Sequence, residues 1–502
     1  MKEKEILLKI ANDIDKIGGK VFYVGGYVRD LFTNKPNKDI DVEIYGISVP
    51  DFLNILSKYG IVDKVGASFG IFMIHGLDID FALPRKEIKA NVNHELKLVK
   101  IPHKYVLNYI LQIKSSYPDY EVIIEEKHKF GHKDFIVIYD TFMSFEESTR
   151  RRDFTCNGMM KDVLSGEVID LWGGIKDIEN RCIRHIDSQT FIEDSLRVFR
   201  ACQFASRFEF TVCKETLNLC RNIDLTNLSK ERIYEEIKKS LLKSDKPSIA
   251  FEVMREMGVI KSTFPELYEM INCPQNPKYH PEGDVWNHTM LVLDKASKLK
   301  DSSLDSEIFM LSALLHDIGK PKSTQIIDDK ITSNGHEKIG VEIAKSLLER
   351  ITNDKRIIEG VLNIIENHMI PVSLFNGKAS DKAIRKFSLK TNIDNILLFM
   401  QADFSGKAEQ EKEINEILMW FKSKLVETGA DKEIKPIITG KDLINMGLIP
   451  GKEFGVILNK AFDLQLDGLD RQQIISNFFD YSEILYYNRK GHEINMLTIK
   501  HK

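Results

Sequence analysis

Apolar and polar positions recur with two different periods along this chain, and the switches between them mark its first elements. Residues 1–19, MKEKEILLKIANDIDKIGG, have the spacing of a charged amphipathic helix rather than of a cleaved leader. VFYV at 21–24 is a short β-branched and aromatic run stopped by Gly25-Gly26, after which YVRDLF has the spacing of a helix opening. DIDVEIYG, starting at Asp39, alternates with period two, so Asp39 and Asp41 lie on one face of a strand and Ile40 and Val42 on the other. A second strand candidate, IFMIHGLDIDFAL at 71–83, brings Asp78 and Asp80 onto a common face. Farther on, FIEDSLRVFRACQFASRF at 191–208 is a helix pattern, with Leu196, Phe199, Cys202 or Gln203, and Phe204 at helical spacing.

At 502 residues the chain exceeds one ordinary core and implies three or four domains. Hydrophobic residues make up 43% and charged residues 29%, a globular balance without disorder bias. The net charge of -4 gives no global basic excess, so any nucleic-acid binding must rest on local patches. The six cysteines form no C-x-x-C pair, which points to reduced thiols and a cytoplasmic protein. No apolar run approaches the roughly 20 residues of a membrane span.

The carboxylates carry the first chemistry. A strand, a glycine turn and a helix start place free backbone N–H groups where a phosphate can sit, although a Gly-Gly pair alone is more often just a turn. Asp39 and Asp41, held side by side, are costly unless something positive lies between them. Hard oxygen ligands without histidine or thiolate favour magnesium over zinc. With a third carboxylate from the second strand, two such ions would align a hydroxyl and a nucleotide α-phosphate for in-line transfer. The plain alternative is a solvent-facing acidic strand.

The Gly-Gly-x-Val-Arg-Asp segment followed by Asp-x-Asp resembles the first signature of the class II tRNA nucleotidyltransferases and bacterial poly(A) polymerases, within the polymerase-β-like nucleotidyltransferase superfamily. The resemblance implies catalytic magnesium on Asp39 and Asp41, with Asp80, five residues before Arg85, as third carboxylate, and nucleotide contacts from Gly25, Gly26 and Arg29. FEESTRRRDFTCNGMM at 145–160 resembles the second signature, with Gly158 in place of the usual alanine. It implies that Arg151, Arg152 and Asp153 bind nucleotide, the two arginines as a positive cluster for phosphates. VIDLWGGIKDIENRCIRHI at 168–186 resembles the third, with a positioning role. Glu193-Asp194-x-x-Arg197 matches the nucleotide-selecting motif, with Arg200 on the same face; a salt-bridged helix surface is the ordinary reading of such spacing. A carboxylate and a guanidinium so placed accept CTP and ATP and leave guanine and uracil with unpaired groups. LSKERIYEEIKKSLL at 228–242 resembles the last motif, and Arg232 and Glu236 at i, i+4 are expected to form an intrahelical ion pair. Residues 91–130 look inserted in the family's flexible loop.

A second constellation follows. His288, His316-Asp317 and Asp403, in that order on helix-like segments, resemble the HD superfamily of metal-dependent phosphohydrolases, and His336 and His368 stand where some HD proteins complete a second metal. Mixed imidazole and carboxylate ligands admit manganese, nickel, cobalt or magnesium, and a bound ion would activate water against a phosphoester. The tail segment at 434–466 is punctuated by Gly440, Gly447, Gly451 and Gly455, which suit either helix capping or approach to RNA phosphates.

The expected architecture is α+β: a nucleotidyltransferase head of mixed sheet and helices (1–172, with the 91–130 insertion), an all-α neck for nucleotide selection and RNA binding (173–270), an HD domain (271–425) and an α-helical RNA-binding tail (426–502). The resemblance implies template-independent addition of CMP and AMP from CTP and ATP to the tRNA 3′ end. CC-only addition, A-only addition and poly(A) synthesis share the motifs. A phosphohydrolase with a degenerate RNA-binding head is the reading from another class.

Overall fold

The computed structural model describes residues 2–33, 39–63, 70–89, 135–328, 330–404, 408–446, 448 and 450–480. The 91–130 segment and Gly447 lie outside them. The chain divides into two compact units, Met1–Phe264 and Pro265–Lys502.

The first unit is built on a seven-stranded mixed sheet in the order β3-β4-β5-β2-β1-β8-β9. Its centre is β1 (Lys20–Val24) and β2 (Ile40–Tyr45), antiparallel to each other, and β5 (Ile79–Ala82), which runs parallel to β2. Strands β3 (Val62–Asp63) and β4 (Ile71–Ile74) extend one edge, β8 (Met160–Asp162) and β9 (Val168–Ile169) the other. A separate hairpin pairs β6 (Arg85–Lys89) with β7 (Phe135–Tyr139). The alternation of β2 sends Ile40, Val42 and Ile44 into a core shared with Leu7, Ile10 and Ile14 of the helix Lys2–Asp15 and with Phe52, Phe72 and Phe81. The opposite face is left for Asp41 and Glu43.

Head and neck residues pack as one unit, joined by a buried cation. Arg29, on the helix Gly26–Thr33, donates through Nε to Asp30 at 2.8 Å and through Nη1 to the side-chain oxygen of Asn157 at 2.8 Å. Its guanidinium lies 4.6 Å from the ring centre of Phe208 and 5.2 Å from that of Phe204, both on the helix Arg197–Phe208. Arg29 was expected at the nucleotide; it is instead 4% exposed and fully engaged inside, where it ties the glycine-turn helix to the neck. Arg29→Ala takes from buried Asp30 its close partner at 2.7 Å and leaves Arg207 at 3.8 Å, and chemical denaturation should register a loss of about 3 kcal/mol.

Two local expectations change here. The helix expected over 191–208 begins at Arg197, because Asp187 caps a short helix, Ser188–Phe191, and the Asp194 carboxylate then accepts from the Leu196 backbone N–H. The neck also contains strands: β10 (Cys182–Ile183) pairs in parallel with β11 (Thr211–Val212). That pairing brings Cys182 near Cys213, with Cα atoms 6.0 Å apart; Cys156, Cys202, Cys220 and Cys273 are free and buried.

The second unit is helical apart from one hairpin, β12 (Gln325–Ile327) with β13 (Lys330–Thr332). Its central helix, Ser306–Leu315, is buried from Phe309 through Leu315 and is surrounded by other helices, including Val285–Leu299 and Lys355–Asn367. The tail helices Gly440–Asn445, Glu453–Leu466 and Arg471–Asp480 enclose a smaller core around Ile438, Leu443, Ala461 and Ile474. Gly440 is the first residue of a helix capped by Thr439, and Gly455 lies within the next. Among the described residues no helix is long and apolar enough to cross a membrane.

Candidate active site and candidate metal centre

In the first unit the parallel register sets Asp41 of β2 directly beside Asp80 of β5. Asp39 lies just before β2 and is exposed, as is Asp78. Burial raises the pKa of Asp41, and the charges of Asp80 and Asp39 raise it further, against a lowering by Arg152. Burial also raises the pKa of Asp80, with Asp78 and Asp39 adding to it. Carboxylates that repel one another in a half-buried setting, with no histidine or thiol among them, fit a hard divalent cation.

Arg152, whose charge acts on Asp41, also lies against the glycine turn. Gly25 has φ +63°, in the left-handed region, and a Cβ built on it would stand 3.0 Å from Arg152 Nη1. The turn therefore needs glycine both for its backbone and for the guanidinium packed against it. Arg152 donates to the Asn157 carbonyl at 3.1 Å and to Glu43 at 2.7 Å, while its Nε is buried without a partner. Arg151 donates through Nε to the Arg85 carbonyl at 2.8 Å and reaches Glu43 at 3.4 Å. Glu43 also accepts from the Tyr45 hydroxyl at 2.8 Å. Its burial, which favours the neutral acid, is outweighed by Arg152 and Arg151, so its pKa is lowered.

Asp153 accepts from its neighbour's backbone, Phe154 N–H, and from Asn157 Nδ2, each at 2.8 Å, and from Arg200 Nε at 2.7 Å. The expected nucleotide ligands Asp153 and Arg200 thus hold each other, which gives Asp153 a positioning role. Arg197 donates to the backbone carbonyls of Thr190 and Arg151. Asp194 is gripped by Arg232, whose Nη2 lies 3.0 Å from both carboxylate oxygens. The intrahelical pair expected between Arg232 and Glu236 is absent, because Glu236 pairs with Lys239 at 2.8 Å. The third signature supports this floor: Asp170 caps the helix Gly174–Glu179 at Gly174 N–H, 2.7 Å, and Asp177 accepts from Thr155 at 2.7 Å.

In the second unit, His288, His316, Asp317 and Asp403 converge as expected, with His336 and His368 adjoining. His316 Nε2 is 3.3 Å from Asp317 and 3.4 Å from Asp403; His288 Nε2 is 2.9 Å from Asp403. His336 Nε2 is 3.4 Å from Asp317 and 3.3 Å from His368 Nε2. The orientation of the rings is decisive. His316, His336 and His368 each point Nδ1 at a backbone carbonyl three residues earlier, at 3.1, 2.8 and 2.6 Å. A carbonyl can only accept, so each Nδ1 donates and each Nε2 is the nitrogen turned inward, where it could bind a metal once it carries no proton, the orientation of metal-ligating imidazoles. His316 Nε2 is buried without a hydrogen bond, as a ligand nitrogen would be, while Asp317 Oδ2 is held by the Lys320 ammonium at 2.7 Å. Glycine makes the convergence possible: a Cβ on Gly319 would strike the His336 carbonyl, so the turn after Asp317 can pack against the start of the helix His336–Ile351.

Two residues of these sites escaped the sequence reading. Glu43 continues the Asp39–Asp41 alternation and carried a signal in that spacing. Glu282 holds His288 Nδ1 at 2.8 Å and His280 Nδ1 at 2.9 Å, from a loop with no periodicity to betray it.

Comparison with known proteins places family matches on both units. Residues 21–184 match the family described as Poly A polymerase head domain, residues 209–270 that described as probable RNA and SrmB-binding site of polymerase A, and residues 285–399 the HD domain. The chain is 32% identical over 339 residues to the multifunctional CCA protein of Pasteurella multocida, covering 66% of this chain and 69% of that one. It is 32% identical over 350 residues to the namesake in Cupriavidus metallidurans, covering 67% and 72%. Among solved structures, a CCA-adding enzyme in an apo form superposes with a TM-score of 0.61 at 20% identity over 95% of this chain and 96% of the other. The Thermotoga maritima CCA-adding enzyme complexed with tRNA gives 0.57 at 19% identity over 95% of each.

Proposed function

Since the chain belongs to the family of the multifunctional CCA proteins, we propose that it completes the tRNA 3′ end from CTP and ATP, using the carboxylates of the first unit, and that it works in the cytoplasm. It is a nucleotidyltransferase. One observation carries the catalytic reading: Asp41 pairs with Asp80 across parallel strands, and the charge of Arg152, whose guanidinium rests against the Gly25 turn, acts on Asp41.

Asp39, Asp41 and Asp80 would hold Mg2+, which when bound offsets the charge of the triphosphate and favours the ionised 3′-hydroxyl of the RNA. The hydroxyl oxygen attacks the α-phosphate, the bond to the bridging oxygen of the β-phosphate breaks, and pyrophosphate leaves. Arg152 and Arg151, with the N–H groups after Gly25, bind the triphosphate oxygens. Asp194 and Arg197 read the base. A carboxylate has roughly four acceptor sites and a guanidinium five donors. Arg232 takes two of the first and the Leu196 N–H a third, and the Thr190 and Arg151 carbonyls take two of the second. Enough remains to accept from the exocyclic amine of cytosine or adenine and to donate to the ring.

The grip of Arg232 makes Asp194 a fixed template, and this yields a prediction. Arg232→Ala should lower kcat/KM for CTP and ATP by about 10-fold and raise GTP and UTP misincorporation, measured on tRNA ending before CCA. Unchanged selectivity would remove Arg232 from the template.

The test of the whole reading is single-nucleotide extension of tRNA ending before CCA, after C or after CC, with CTP, ATP or both. Extension that stops at CCA is expected. A stop after CC, or addition of the last A alone, would make it a partial-addition enzyme, and a long adenosine ladder a poly(A) polymerase. For the second unit the inward Nε2 atoms support a metal-dependent phosphohydrolase acting on phosphoesters.

A further inference from the structure

We infer that Glu43 is a positioning residue for nucleotide binding: it fixes the two triphosphate arginines at a set distance from the cation-binding carboxylates by standing on the same strand face. The inference rests on the proposed role of Arg151 and Arg152. Glu43 is 1% exposed and follows Asp41 by one full period of β2. One of its oxygens, Oε1, takes Arg152 at 2.7 Å and Arg151 at 3.4 Å; the other, Oε2, accepts from Tyr45 at 2.8 Å, and Tyr45 in turn meets Ser148 Oγ at 2.7 Å. Ser148 lies on the helix Phe145–Arg150 that leads into both arginines. The carboxylate is therefore held at both ends, once by the strand and once by the arginine segment.

This arrangement answers a difficulty in the site. Two long cationic side chains close to Asp41 and Asp80 would collapse onto those carboxylates and compete with a cation for them. A buried anion on the next strand position gives the guanidiniums another partner, with planar geometry that lysine cannot supply. Arg152 then rests against Gly25, where the phosphates arrive, with ligands and cradle spaced by one strand.

A group acting through the triphosphate arginines affects CTP and ATP alike, whereas one acting on the base changes their ratio. Glu43→Gln should raise KM for CTP and for ATP by a similar factor, about 10-fold, with kcat changed far less. In the Arg152→Ala background the same substitution should add less than it does in the parent chain, the remainder acting through Arg151. A KM unchanged by Glu43→Gln, or an increase that multiplies with that of Arg152→Ala, would overturn the inference. If Arg152→Ala itself leaves KM unaltered, the reading of the arginines fails instead. Should Glu43→Gln not fold, Tyr45→Phe measured the same way should give a rise of about threefold in KM for both nucleotides; no rise would count against Glu43.

Discussion

Asp41→Asn is expected to reduce nucleotide incorporation roughly 10²–10³-fold or more while leaving the first unit at least as stable as before. The two effects have one cause. Asp41 and Asp80 are direct neighbours across parallel strands, and burial together with mutual repulsion pushes both pKa values up. A carboxyl with a raised folded-state pKa costs stability once pH exceeds its unfolded value, and at neutral pH that cost is fully present. Asparagine keeps the shape and removes the charge, so in chelator the melting temperature should hold or rise. Added Mg2+ should stabilise the parent chain and do less for the variant, because a ligand that binds the folded state stabilises it by mass action. A variant with lower stability in chelator would mean that Asp41 is held by partners rather than poised for a cation. Retained incorporation would remove it from the catalytic set.

The fold and site were legible in unequal parts. The shared strand faces of the candidate carboxylates could be read because strand alternation and turn chemistry are local rules, and the register that joins Asp41 to Asp80 conserves that alternation across strands. Glu43 obeyed the same rule two residues on but was passed over, since a buried carboxylate reveals itself only with its arginines, more than a hundred positions away in sequence. Arg232 illustrates the limit. Local spacing favours Glu236, yet the guanidinium crosses to Asp194 on another segment, and Glu236 turns to Lys239. Tertiary pairing overrode a propensity worth only a few tenths of a kcal/mol. Likewise the order of arginines and acids at 151–200 named the right neighbourhood, but burial decided that Arg29 and Asp153 are inner supports. In the second unit all six histidine and aspartate positions met, because helix ends gather side chains that a repeating spacing alone cannot link.

Asp317 is the residue whose loss should cost the second unit most. Its carboxylate lies 2.7 Å from Lys320 Nζ, 3.3 Å from His316 Nε2 and 3.4 Å from His336 Nε2, and only 1% of the residue is exposed. Lys320, itself buried, has one further partner, Gln275 at 2.6 Å. Asp317→Ala leaves that ammonium without its anion, and breaking a buried pair from one side costs about 3–5 kcal/mol. It also deletes the oxygens that lie between the His316 and His336 rings, so metal content measured by elemental analysis on the purified chain should fall to near zero. Asp317→Asn separates the two consequences in part: the ammonium still loses its anion, but the amide keeps the volume and one oxygen that accepts from Lys320, so the unit should be destabilised less than by alanine while metal is still lost, since a neutral amide is a poor ligand for a divalent ion. Nucleotide addition should persist in Asp317→Asn, because every residue assigned to it belongs to the first unit. Full metal occupancy in that variant would show that Asp317 serves Lys320 and not a cation. Loss of nucleotide addition along with the metal would mean that the two units depend on each other chemically, and would take the independence of the two sites with it.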